Sequence, residues 1–203
     1  MQHRESKTSE YEQAGFSLLE LLIAMTVTLA VMVAASTLLA TSLRTRTREN
    51  VRSNALASVQ RALSSMSREI SNSGYGLADN GIVVADSTVD SIRTRANLDH
   101  NSNLNGIDED VRFVLQTAGS NKEIVRYDNS LAASQRSVLA TNITSLTIKY
   151  LNLIGDEVSA GAAERLRIEV EVLLPASLEE PESVVNLVSQ VSLRNAPITL
   201  QQF

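Results

Sequence analysis

The sequence predicts an α+β protein: a long N-terminal α-helix, transmembrane in its first half, laid on a C-terminal antiparallel β-sheet. Three observations predict it. From Phe16 to Leu43 the only charged residue is Glu20, so a run of 28 residues is otherwise uncharged, and about 20 suffice to cross a bilayer as a helix. Apolar residues then recur at three- and four-residue spacing as far as Ile70, with no Gly or Pro from Phe16 to Ser73. After Gly74 the pattern changes to period two, the period of strands.

Residues 1–15 form a short polar leader, slightly acidic, with Arg4 and Lys7 against Glu5, Glu10 and Glu12. Residues 16–43 are the transmembrane helix. A charge at membrane depth costs roughly 2.5–3.5 kcal/mol on insertion scales, so Glu20 needs a purpose. A secretory signal peptide fits poorly, because its apolar core is only ~7–15 residues long and its cut follows that core. Residues 44–73 read as an amphipathic continuation. Val51, Ala55, Val59, Ala62 or Leu63, Met66 and Ile70 share one face, while Arg48, Arg52, Arg61 and Arg68 take others. Unbroken, such a helix is roughly 85 Å long at 1.5 Å per residue. Asn72-Ser73-Gly74 is its stop, with Gly74 supplying a left-handed residue.

Residues 74–203 form the β-rich head, long enough to bury its own core. Leu166, Ile168, Val170 and Val172 alternate with Arg165, Arg167, Glu169 and Glu171, a half-buried strand with a charged outer face. Leu146, Ile148 and Tyr150 alternate with Thr147 and Lys149. Val185, Leu187, Val191 and Leu193 share a face on which Ser189 is the weak member. Val111, Phe113 and Leu115 mark another strand and Ile124–Tyr127 a fourth, joined through Gly119-Ser120-Asn121 as a hairpin-like connection. Glu179-Glu180-Pro181-Glu182 reads as a turn between two long strands.

Composition excludes several functions. The chain has no cysteine, which removes disulfides, iron–sulfur clusters, zinc thiolate sites and a cysteine nucleophile. Residues 74–203 carry ten Lys and Arg against seventeen Asp and Glu. An acidic head disfavours phosphate backbones, so no clear nucleic-acid site is present. The arginine series from Arg44 follows the membrane span and points to lipid headgroups or a neighbouring subunit. Only His3 and His100 are histidines, and no catalytic constellation can be assembled from them. The chain reads as a non-enzyme. One segment is a candidate metal site. Asp99, Asn101, Asn103, Asn105, Asp108 and Asp110 crowd oxygen side chains into twelve residues, and calcium takes ~6–8 oxygen ligands. Neither register of an EF-hand loop fits, and the alternative is an Asx-rich turn. Calcium is thus the only cofactor in view.

Gly15-Phe16-Ser17-Leu18-Leu19-Glu20, opening the apolar run, resembles the type III signal of type IV prepilins and type II secretion pseudopilins. The resemblance implies a pilin-like fold and cleavage between Gly15 and Phe16 by a prepilin peptidase. It also implies N-methylation of Phe16, with Glu20 as the assembly glutamate. The implied partners are other pilin or pseudopilin subunits, the peptidase, an inner-membrane assembly platform, and membrane lipid before assembly. The head would then face the periplasm. The positive-inside rule, applied to Arg44, Arg46 and Arg48 alone, gives the reverse orientation, and the processing motif overrules it. Two further stretches are similar to PilW-type minor pilins, with GspJ-type pseudopilins next. Arg68-Glu69-Ile70 followed by Gly74-Tyr75 resembles the R-E-I-x-x-x-G-Y stretch of such proteins, and Val191-Ser192-Leu193-Arg194-Asn195 resembles their closing strand. A signal-anchored calcium-binding module that does not polymerise is the alternative from another class.

Overall fold

The helix begins where a hydroxyl can cap it. Ser17 Oγ accepts the Leu19 N–H (3.3 Å) and Ser17 O accepts the Leu21 N–H (3.1 Å), opening helix α1, Leu18–Ser71. The computed structural model describes residues 17–101, 103–130, 135–174, 176 and 181–195. Gly15 and Phe16 therefore lie outside the described residues, as do Glu179 and Glu180 of the expected turn.

The chain divides into two units between Thr47 and Arg48. In the first, α1 is long and apolar enough to cross a membrane, and none of its apolar window is buried within the protein. Most of its hydroxyls are satisfied locally. Thr26 donates to Ile23 O (2.8 Å), Thr28 to Ala24 O (2.7 Å), Ser36 to Met32 O (2.8 Å) and Thr41 to Thr37 O (2.9 Å). Polar groups bonded to their own helix can enter lipid at little cost, which is why a run with this many Ser and Thr still behaves as apolar.

In the second unit the rest of α1 supplies Val59, Ala62, Leu63, Met66 and Ile70 to the core, with Ala55 packed at its margin. Val51, on the same predicted stripe, is instead 48% exposed. Periodicity gives the face that is buried but not the point along the helix where a partner surface begins.

The strands form two antiparallel sheets where the sequence predicted one. The first contains β1 (Ser91–Arg95), β2 (Asp110–Ala118), β3 (Asn121–Asp128) and β4 (Gln135–Thr141), paired in that order. The second contains β5 (Ile143–Leu151), β6 (Arg165–Leu174) and β7 (Ser183–Ser192), with β6 central. Asn142, between β4 and β5, has φ 59°. A left-handed residue there redirects the chain from one sheet to the other, and Asn tolerates that conformation better than most.

The predicted alternations are the buried faces. Val111, Phe113, Ile124, Leu146, Ile148, Leu166, Ile168, Val170 and Val172 all enter one core with the helix. Ser189, the weak member of its face, lies opposite α1, and its Oγ is 2.8 Å from Ser67 Oγ. A hydrogen bond between helix and sheet explains a serine among valines and leucines. β1 and β4 were not predicted. In Ser91-Ile92-Arg93-Thr94-Arg95 only Ile92 is apolar, so the buried Ser91 and Thr94 left no period-two signal.

The end of α1 is a joint of close backbone approaches. Gly74 (φ 79°) donates its N–H to Arg95 O (2.8 Å), and a Cβ there would lie 2.4 Å from Asp79 O. Buried Asn80 donates to Ala160 O (3.0 Å) and Gly161 O (3.1 Å). Asn195 donates to Gly74 O (2.7 Å), Leu77 O (3.0 Å) and Asp79 O (2.7 Å), while Arg194 N–H reaches Ser71 O (3.2 Å). The stretches 66–76 and 191–195, far apart in sequence, are therefore in contact.

Candidate functional site

The candidate site residues fall in two places: the start of α1 and the loop between β1 and β2. At the first, Glu20 sits exposed in the first turn of the helix. Unpaired backbone N–H groups concentrate positive potential at that end, which favours a carboxylate. The exposed apolar side chains that follow, from Leu21 to Leu43, leave Glu20 as the only charge on the whole surface of the run.

The second place is organised by a residue outside the candidate ligand set. Glu109 is 1% exposed. Its Oε1 accepts the N–H groups of Leu98 (2.8 Å) and Asp99 (3.2 Å), and its Oε2 accepts that of Gly106 (2.7 Å). Burial pushes this carboxyl up, but the backbone donors outweigh it and hold it below its ordinary value. The loop closes over the carboxylate because residue 106 is glycine: a Cβ there would lie 2.7 Å from Glu109 Oε2.

The structure brings together only part of the candidate calcium set. Asp99 Oδ1 accepts the Asn101 N–H (3.1 Å), Asn101 Oδ1 accepts the Asn103 N–H (2.7 Å), and Asn105 stands exposed. These are successive Asx turns. Asp110 turns away to Arg93 (2.7 Å to Nε) and Arg95 (2.9 Å to Nε), and Arg93 also holds Asp86 (2.5 Å). Asp110 is raised by burial and lowered further by these guanidinium hydrogen bonds, ending below its ordinary value. Asp108, at φ 66°, pairs with Arg126, whose Nε binds Glu69 of α1 at 2.8 Å. The Asp108 N–H donates to Asp128 Oδ2 (3.0 Å). Among the described residues no three carboxylate or histidine side chains are grouped as a metal site. A calcium ion using all six candidates would have to displace Arg93, Arg95 and Arg126.

Sequence reasoning missed Glu109, although a signal for it existed. Carried backward, the alternation Val111, Phe113, Leu115 puts residue 109 on the buried face and Asp110 on the outer one with Arg112. The arginines that hold Asp108 and Asp110 had no such signal, since their pairing depends on strand register.

The prokaryotic N-terminal methylation motif matches residues 12–36, which bracket Gly15, Phe16 and Glu20. No curated protein matches the chain. The motif, which covers the start of an apolar N-terminal helix leading to antiparallel sheets, supports the class of type IV pilins and pseudopilins and indicates processing of the prepilin kind. That class is structural rather than enzymatic. It implies interaction with other pilin-type subunits and with a prepilin peptidase.

Proposed function

We propose that this chain is a minor structural subunit of a type IV pilus, of the PilW type, that acts in an assembly-initiation or tip complex. The observation that carries the reading is the methylation motif over residues 12–36, which spans the start of an apolar run, Phe16 to Leu43, whose sole charge is Glu20. The peptidase cuts between Gly15 and Phe16, and Phe16 becomes the methylated N-terminus. The helix holds the subunit in the inner membrane, with the head in the periplasm, until the assembly platform extracts it. In the low-dielectric core of a filament the Glu20 carboxylate is neutralised by the free amine of a neighbouring Phe16. A buried charge without a partner costs several kcal/mol, so a subunit out of register is rejected. A type II secretion pseudopilin fits the same residues, and a deletion phenotype separates the two machines. The contact between residues 66–76 and 191–195 supports a PilW- or GspJ-type head, because the two stretches that resemble such proteins form one joint.

Peptide mass spectrometry of the N-terminus in native membranes or sheared filaments tests this. A chain beginning at Phe16 with one added methyl is expected, and a chain retaining residues 1–15 overturns the reading. Glu20→Ala should leave membrane insertion intact and abolish or weaken incorporation, whereas Gly15→Ala should accumulate uncleaved. In the alternative, an anchored calcium-binding module, the ion would sit among Asp99, Asn101 and Asn103, since arginines hold Asp108 and Asp110. That alternative requires a rise in the thermal midpoint of the head with calcium and not with magnesium.

A further inference from the structure

The outer edge of β7 differs from the other sheet edges. On the outer side of β1, Val83 donates to Arg93 O (2.9 Å) and Arg95 donates to Gly81 O (2.7 Å). On the outer side of β5, the Ile148 N–H reaches Val89 O (2.7 Å), and Leu151 bridges Glu157. The short β4 carries Arg136, in an ion pair with Glu123. β7 is ten residues long, and from Ser183 to Ser192 it contains no charge, no proline and no glycine. Its pairing with β6 has no register shift. Among the described residues, no backbone hydrogen bond is made to its other side. Native edges are ordinarily blunted by a charge, a proline, a bulge or a covering segment, and an edge without them is a template for another strand.

The free groups can be named. The Leu193 N–H donates to Glu164 O (2.9 Å), so odd-numbered residues of β7 point their backbone groups at β6. Val184, Asn186, Val188, Gln190 and Ser192 point theirs away. Val184 and Val188, half exposed at 50% and 47%, stand beside them on the outer face. Alternating N–H and C=O groups at a two-residue repeat of about 6.7 Å are matched by one kind of ligand, an extended polypeptide.

We propose that the outer edge of β7 docks an extended, uncharged strand from a neighbouring subunit, extending the β5-β6-β7 sheet across the contact. This rests on the filament reading above and identifies a head surface that makes the contact. The absence of charge along ten residues makes the edge complementary to an apolar or neutral strand and penalises a charged one. Val188→Lys tests it, because the side chain lies on the outer face and the ladder to β6 keeps all its bonds.

The experiment compares hydrogen exchange of the full chain dispersed in detergent with that of the chain in sheared filaments, together with incorporation of Val188→Lys and Glu20→Ala. Protection of the Val184, Asn186, Val188, Gln190 and Ser192 amides in filaments but not in detergent is expected. Val188→Lys should incorporate at least roughly tenfold less, about 1.4 kcal/mol of contact, with an unchanged thermal midpoint in detergent. Equal exchange in the two states overturns the proposal, and so does protection already present in detergent, which would mean that the chain covers its own edge. Normal incorporation of Val188→Lys while Glu20→Ala is excluded overturns the edge alone. Normal incorporation of Glu20→Ala overturns the filament reading itself.

Discussion

Glu109→Gln isolates the group on which the 97–110 loop depends. The substitution keeps size and shape but leaves one acceptor oxygen and introduces a donor. As a carboxylate, Glu109 serves Leu98 and Asp99 through Oε1 and Gly106 through Oε2. In either flip of the amide, an NH₂ faces at least one backbone N–H. One or two charge-assisted hydrogen bonds are then lost, each worth about 1.5–3 kcal/mol, and a donor is left buried without an acceptor. Incomplete relaxation of the loop brings the expected loss to about 2–4 kcal/mol. For a head of this size that is a fall of roughly 6–20 °C in thermal midpoint. The assay is circular dichroism of the full chain in detergent, following the β signal at pH 7, with Glu157→Gln as control because Glu157 is largely exposed. A fall of less than about 2 °C, or one matched by the control, would refute the inference that these three amides depend on the carboxylate.

Gly74→Ala should destabilise the head by at least about 2 kcal/mol, since φ 79° is costly for alanine and its Cβ would meet Asp79 O at 2.4 Å; a urea midpoint within error of wild type would contradict this. Arg126→Met strands Glu69 and Asp108 and should cost about 2–3 kcal/mol, discounted from the fully buried case because Asp108 is half exposed. In the double variant Arg126→Met/Glu69→Leu much of that loss should return, and strict additivity in the cycle would show the pair to be uncoupled. Glu109, Asp110 and Asp128 all lie below their ordinary values in the folded head, so their contribution is complete above the unfolded carboxylate range near pH ~4. It is lost as pH falls through their lower folded values, and an acid-unfolding curve should be flat above pH ~5 and fall below ~4. Burial pushes the Tyr150 hydroxyl up to about 12, so an opposite limb should appear as pH rises from the unfolded value near ~10 to that value, and Tyr150→Phe should remove it.

The parts of this fold that were legible in the sequence are those fixed by one-dimensional spacing. The apolar run, the 51–70 stripe, the stop at Gly74 and the strands around Phe113, Ile148 and Ile168 follow from one-dimensional spacing, and each is where the spacing put it except for Val51, which is exposed. What was not legible depends on contacts between elements. β1 buries Ser91 and Thr94 beside a single isoleucine, which no alternation reveals. The division into two sheets falls at a single left-handed asparagine, Asn142, which no period marks. In the loop, the oxygen-rich pattern was visible, but which oxygens converge is decided by Arg93, Arg95 and Arg126, brought there by register and by α1. The methylation motif over residues 12–36 was legible for a different reason: it is a short local pattern that needs no tertiary context.

A head without cysteines has to fix its loops by other means, and each device found here belongs to one joint. Asn80 and Asn195 tie the end of α1 to the loops before β6 and after β7 through amide hydrogen bonds. Glu109 ties the β1–β2 loop to itself, and Arg126 ties that loop back to Glu69 in the last turns of α1. The path from the helix end to the loop is therefore continuous, running from Glu69 through Arg126 and Asp108 to the chain segment that Glu109 anchors. The buried links, Glu109 and Asn80, are worth more intact than their parts, since a broken one leaves desolvated partners unpaired, whereas Asp108 is half exposed and contributes less. A disulfide constrains the unfolded chain and is indifferent to pH, whereas this network stabilises the folded head and dissolves in acid. The stability of the head should accordingly be insensitive to reductant and fall steeply in acid, the reverse of what a disulfide-closed head would show.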